Sequence, residues 1–375
     1  MKITIKISIC FLIASTFLSY SLFSQNHKIP LKTLIDSLGN SFIKDKRSVG
    51  LSIGVYNEGK SNFYNYGTTI KNTNSHPSNN TVYEIGSITK AFVSLILAHA
   101  VIEKKVNLDD DVRKYLDGAY PNLEFNKKPI TLLQLSNTTS GLPNWLPLFT
   151  KEITNAPSDS VPFLIERTYE KYTKKDFYKA LHEVKLDTVP GYKSRHSNGA
   201  ALLLSLILEK VFNAPIEDLV SKYITKPAQM NNTSFFASTS KSKLLSKGYS
   251  QSGMLMPYFN NKLLKGVGEL NSSTADLLKF VKMQLDSKDR AIIFSHNKTF
   301  NAGWCDIGLT WLIYKHDSGV HQIWADGGTY GFCSYLIFYP EVNSGIVILA
   351  NESDPTTSNR ISDIADGIFN VLYKK

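Results

Sequence analysis

The stretch Ser87-Ile88-Thr89-Lys90 constrains this chain more than any other. The extended run Thr81-Val82-Tyr83-Glu84-Ile85 leads into it through Gly86, and the apolar run from Ala91 to Ala100 leaves it as a helix. A strand must therefore turn into a buried helix at this point. A serine and a lysine three apart on a helix share one face, so the amine can reach the hydroxyl. Both also lie near the positive end of the helix dipole, which favours a developing alkoxide. This arrangement activates a serine without a histidine as first base. The competing reading is an ordinary helix-capping serine at Ser87.

The spacing recurs at Ser41-Phe42-Ile43-Lys44 and at Ser240-Lys241-Ser242-Lys243. Ser41 falls inside a predicted helix without a preceding strand or glycine, and Ser240 in a polar loop. Only Ser87 combines strand, glycine and apolar helix, the context such a motif needs.

The N-terminus reads as an export signal: Lys2 and Lys6, an apolar core from Ile7 to Leu18, and Ser21-Leu22-Phe23-Ser24 before a cut near Gln25. The apolar run is short and interrupted by serine, so no stable membrane span is expected after cleavage. Cys10 lacks the small preceding residues of a lipoprotein signal, and no lipid anchor is assigned. Residues 1–24 are thus the predicted signal and 25–375 the mature domain, exported to the periplasm or secreted. The mature chain is long enough for a substantial core in one large or two intimate domains.

Of three cysteines, Cys305 and Cys333 remain after such a cut. They do not make a disulfide framework and read as small core residues. The net charge of +10 is scattered rather than striped. With no aromatic-basic interleaving, it excludes a nucleic-acid partner and reads as solvated surface.

Periodicity predicts a helix over 31–44, strands over 49–56 and 62–68 around the Asn57-Glu58-Gly59-Lys60 turn, and mostly helices from about 106 to 236. Leu203 to Glu209 is a buried helix within that span. A helix over 273–285, strands over 307–314, 320–324, 332–339 and 344–350, and a helix over 358–372 follow. The fold class is α+β: an antiparallel sheet flanked by helices, with a helical lobe (about 106–236) inserted between early and late strands. A site is expected in the cleft between sheet and lobe.

Two later segments join Ser87. Pro190-Gly191-Tyr192-Lys193-Ser194-Arg195-His196-Ser197-Asn198-Gly199-Ala200 precedes the buried helix. Trp324-Ala325-Asp326-Gly327-Gly328-Thr329-Tyr330-Gly331-Phe332 is a glycine-rich break beside a strand. In this order the three resemble the motifs of the serine β-lactamase and penicillin-binding-protein superfamily: Ser-x-x-Lys, Tyr-x-Asn, then Lys- or His-x-Gly. The resemblance is to the class C β-lactamase-related branch, which includes esterases, D-amino-acid peptidases and amidases. Thr139-Ser140-Gly141-Leu142-Pro143, Lys226-Pro227-Ala228-Gln229-Met230 and Ser272-Ser273-Thr274-Ala275-Asp276 extend it along the chain.

The resemblance implies an acyl-enzyme on Ser87 with Lys90 as base, and Asn198 bonding the substrate amide and steadying Lys90. It implies an oxyanion hole from the backbone amides of Ser87 and Gly328, and substrate contacts at Asp326, Gly327 and Thr329. It implies no cofactor and no metal; the partner is a small-molecule, peptide or ester substrate. Oligomeric order is not encoded in these motifs.

Two positions depart from the pattern. His196 replaces the tyrosine; an imidazole can move the same proton but titrates near ~6.5 rather than ~10, so activity is expected to fall as it protonates. A hydrogen-bonded loop histidine is the alternative. Ala325 replaces the lysine or histidine of the third motif, and Asp326 adds negative charge beside it. Esters, neutral amides or amino-bearing substrates therefore suit the site better than penicillins or free C-terminal carboxylates. β-Lactamase or D-alanyl-D-alanine carboxypeptidase activity is the alternative within the class, and a catalytically weak penicillin-binding-like sensor is the alternative outside it.

Asp109-Asp110-Asp111 reads as a capped turn rather than a metal site. The glycines at 327–331 are no phosphate cradle, since no Lys-Ser/Thr follows.

Overall fold

The computed structural model describes residues 30–235, 242–286 and 288–373. The predicted signal and Ser240 lie outside them. Helix α1 (Leu31–Lys44) has the expected bounds and turns Ile35 and Phe42 inward. Strands β1 (Gly50–Asn57) and β2 (Lys60–Gly67) form a hairpin with Asn57 opposite Lys60. Its two central residues, Glu58 (φ 51°) and Gly59 (φ 78°), are both left-handed. That turn type matches the twist of the flanking strands.

After helix α2 (Ile88–Ile102) comes a largely helical stretch that includes α3 (Lys174–His182) and α4 (Asn198–Phe212). Helix α5 (Thr274–Asp286) returns the chain to the sheet. Strands β3 (Phe300–Asn301), β4 (Asp306–Ile307), β5 (Leu312–Lys315), β6 (His321–Gly328), β7 (Cys333–Tyr339) and β8 (Ser344–Ala350) follow, then helix α6 (Thr357–Tyr373). The sheet order is β2-β1-β8-β7-β6-β5-β4-β3, antiparallel throughout.

Helices cover both faces. Ile35, Phe42, Ile361 and Phe369 meet Leu51, Ile53, Ile337 and Ile348 on one side. Phe92, Leu95, Leu277 and Phe280 meet Leu336, Phe338, Val347 and Leu349 on the other. Alternate residues of a strand serve opposite faces, so β7 and β8 are buried at every position. Each such large side chain contributes roughly 1.5–3 kcal/mol. Helix α2 runs through the second layer and is buried on nearly all sides, as a helix apolar around its whole circumference must be.

Three details differ from the sequence reading. The strand expected over 307–314 is split into β4 and β5, because Thr310 takes a left-handed φ of 70° and turns its hydroxyl to Ser136 O at 3.1 Å. The glycine-rich segment does not break the strand: β6 continues through Gly327 and Gly328, which pair with Ser334 and Cys333. The helical stretch also holds a small hairpin, Glu124–Phe125 against Lys128–Pro129. Asp111 caps the turn Val112–Tyr115 by accepting from Arg113 N. Cys305 and Cys333 are buried free thiols. Among the described residues no single helix is long and apolar enough to cross a membrane.

Candidate active site

Tyr83–Glu84, the strand leading to Ser87, pairs not with the large sheet but with Asn271–Ser272. Ile85 N donates to Leu270 O at 3.0 Å, and Gly86 follows with a φ of 50°. A Cβ on Gly86 would lie 2.6 Å from Gly328 O and 2.7 Å from Gly328 N. Only glycine allows this approach, which sets the start of α2 against the end of β6. Gly327 is as confined: a Cβ there would stand 2.1 Å from Ile85 O and 2.8 Å from Ser87 N.

Ser87 occupies the cap position of α2, yet its side chain makes no capping bond. Its hydroxyl instead accepts from Lys90 Nζ at 2.8 Å, and Nζ also donates to Val267 O at 2.8 Å. Lys90 is only 7 % exposed. Burial lowers its pKa to about 7, with the Asp326 charge opposing. Near neutrality a large fraction is thus free amine, whose lone pair can take the serine proton across the same contact.

Arg195 and Ser197 tie the start of α4 to the preceding loop. Ser197 Oγ donates to Pro143 O at 2.8 Å and caps the helix at Ala200 N. Arg195 donates to Asp187 through Nη1 (2.8 Å) and Nη2 (2.9 Å), and through Nη2 to Gly141 O at 2.7 Å. Asn144 completes the clamp: its Oδ1 lies 3.1 Å from Asn198 N and 3.1 Å from His196 Nδ1. A backbone N–H can only donate, so the shared amide atom is the oxygen. The network then assigns the proton of neutral His196 to Nδ1 and leaves the lone pair on Nε2.

His196 is held below its usual range, toward about 4, first by enclosure in the cleft and second by the Lys90 charge. Its ring keeps exposed surface, and water there tempers the shift without reversing it. The imidazole is accordingly neutral around pH 7. An inflection from His196 is therefore expected below 6.5, because of surroundings that the motif alone does not carry.

Ser87, His196, Asn198, Gly328 and Thr329 line one cavity of about 200 Å³, walled by Trp145, Phe259 and Tyr330. Trp145 and Tyr330 each meet Phe259 edge-on, at 6.5 and 5.5 Å between ring centres. No Lys90–Asn198 hydrogen bond occurs among those described. Gly327 lies behind Ser87, and Asp326, one residue earlier, projects from the opposite face of β6. Asp326 is exposed and does not line this cavity; crowding raises its carboxyl pKa and the Lys90 charge lowers it. Ala325 is buried in the α2-side core, so no cation occupies that position.

Sequence reasoning missed Asn144 and three carboxyls, of which Glu84 and Glu166 bond residues of the cavity lining. Glu84 accepts from Thr329 Oγ1 at 2.7 Å and from Phe259 N at 2.6 Å. Glu166 accepts from Tyr330 at 2.9 Å, and Glu269 from Asn261 N. Burial raises Glu84 to about 8 and Glu269 to about 9. A charged residue inside the apolar run 81–85 was the available signal for Glu84. Asn144 had none, because its partners are fifty residues away.

A serine bonded to a buried amine at a helix start, on an antiparallel sheet covered by helices, defines a serine hydrolase. The sequence profile described as Beta-lactamase matches residues 33–368, and the chain belongs to the beta-lactamase family. It is 24 % identical to a beta-lactamase of Pseudomonas fluorescens over 87 % of this chain and 94 % of that protein. It is 28 % identical to protein flp of Staphylococcus aureus (strain MRSA252), over 84 % of this chain and 62 % of that protein. A beta-lactamase/D-alanine carboxypeptidase from Yersinia pestis complexed with citrate shares the fold, with a TM-score of 0.77 at 23 % identity, over 91 % and 98 % of the two chains. A class C beta-lactamase gives 0.78 at 21 % identity, over 91 % and 96 %.

Proposed function

We propose that this chain is an exported serine hydrolase that cleaves an ester or neutral amide through an acyl-enzyme on Ser87. The observation that carries this is the 2.8 Å contact between Ser87 Oγ and a buried Lys90 whose pKa is lowered to about 7. Neutral Lys90 takes the hydroxyl proton as Oγ attacks the carbonyl. The amides of Ser87 and Gly328 stabilise the tetrahedral oxyanion. The Lys90 proton passes through His196 Nε2 to the leaving oxygen or nitrogen, and the acyl–heteroatom bond breaks. Water, deprotonated by the same groups, then releases the acid and regenerates Ser87. Asn198 holds the substrate amide or carbonyl. Export rests on residues 1–24, with the mature domain as 25–375.

Cleavage of β-lactams or D-alanyl-D-alanine is the second reading, favoured by the names of the relatives above. The buried methyl of Ala325 weighs against it, since it offers a substrate carboxylate no charge. Intact-mass measurement of wild type and Ser87→Ala, each with a fluorophosphonate, benzylpenicillin and p-nitrophenyl acetate, separates the two. Ser87-dependent labelling and ester turnover with little penicillin adduct is expected. Rapid loss of benzylpenicillin would establish the second reading, and no Ser87-dependent chemistry would refute both.

A further inference from the structure

A second cavity, of about 790 Å³, has His196 in its lining. One wall is the loop after Gly141, with Leu146, Pro147 and Leu148; the other is the end of α3, with Ala180 and Val184. Of its charged lining residues, Arg195 donates through both Nη atoms to Asp187 and through Nη2 to Gly141 O, and Glu183 and Lys185 are exposed to solvent. The lining combines these charged groups with the apolar surface of Pro143, Leu146, Pro147, Leu148, Ala180 and Val184.

His196 lines both cavities. The catalytic cavity, at about 200 Å³, is smaller than ordinary small-molecule sites, roughly 300–1,000 Å³, whereas the second lies within that range. The carbonyl oxygen belongs at the Ser87 and Gly328 amides, and the leaving atom must face its proton donor. What lies beyond His196 is consequently on the leaving-group side.

The geometry points to a binding site for an extended apolar leaving group, an alcohol or amine with a long hydrocarbon portion, in the 790 Å³ cavity. This deepens the hydrolase reading above and rests on it. The reaction is an ester or amide plus water giving an acid and the long-chain alcohol or amine. The alcohol oxygen receives the proton that Ser87 gave up.

The test compares kcat/KM for ethyl, butyl and octyl acetate, which vary the leaving group, with that for ethyl octanoate, which varies the acyl group. Activity should rise at least ~10-fold from ethyl to octyl acetate, because each added methylene is buried. Ala180→Trp, which fills the cavity, and Leu148→Glu, which places a charge on its exposed wall, should each collapse that ratio. A ratio within one enzyme is insensitive to partial misfolding. A flat ratio, or a gain with ethyl octanoate alone, would overturn the assignment. Should no ester be hydrolysed and no reagent label Ser87, the hydrolase reading fails. The cavity is then judged by calorimetry of 1-octanol with Ser87→Ala: saturable binding lost in Ala180→Trp supports it, and no binding overturns it.

Discussion

Asn144 Oδ1 lies 3.1 Å from both His196 Nδ1 and Asn198 N, so one amide oxygen sets a histidine tautomer and the first turn of α4. An orienting partner of this kind makes an imidazole useful as a proton carrier, since Nε2 is left as its free lone pair. Asn144→Leu should lower kcat by about 10- to 100-fold, less than the roughly 100- to 10,000-fold of a general acid–base group itself because the imidazole remains, while fluorophosphonate still labels Ser87. Asn144→Asp keeps the acceptor but adds a charge, which raises the His196 pKa. A new inflection between about pH 5 and 7 should appear in that variant. An unchanged pH profile in Asn144→Asp would remove His196 from proton transfer.

The wild-type pH dependence should belong to Lys90. Its folded pKa of about 7 means that kcat/KM rises as pH increases through that value and then levels. His196, already neutral there, contributes no break near 6.5. Lys90→Arg should cost at least ~100-fold, because a guanidinium cannot shed a proton in this range. A single rising limb centred well below pH 6 would instead assign the rate to His196.

Much of this was legible from residues alone, for physical reasons that can be named. The start of α2 could be found because Gly86, Ser87 and an unbroken apolar run occur together in sequence. The ends of α1 and β8 followed periodicity, since packing there agrees with local preference. β6 was misread because two glycines suggest a break, whereas here they admit the backbones of Ile85 and Ser87. The His196 environment was illegible, because enclosure and the Lys90 charge come from elements a hundred residues apart.

Gly327→Ala tests that close approach. Its Cβ would stand 2.1 Å from Ile85 O and 2.8 Å from Ser87 N, and both are backbone atoms that cannot rotate away. The strand and the helix start must separate, which misplaces the oxyanion donors. Loss of one such donor costs about 100- to 1,000-fold in rate. A loss of at least ~100-fold is expected, with a lowered melting temperature. Activity within threefold of wild type would show that the two segments are not fixed against each other.

Glu84 makes stability depend on pH in an unusual direction. Burial raises its pKa to about 8, against 4.5 for the free group, with its bonds to Thr329 and Phe259 N pulling the other way. Between these values the folded protein holds a proton that the unfolded chain has released. Stability from this group is therefore fully present below about pH 4.5 and is lost as pH rises through about 8. Glu269, raised to about 9, acts with the same sign and extends the window upward. In Glu84→Gln the side chain stays neutral and can still accept from Phe259 N, so the decline in unfolding free energy between pH 5 and 9 should shrink by about 1–3 kcal/mol. Urea titrations at both pH values, on wild type and variant, give the difference directly. Parallel pH dependences in the two proteins would mean that Glu84 is ionised in the fold and that Thr329 and Phe259 N bond a carboxylate.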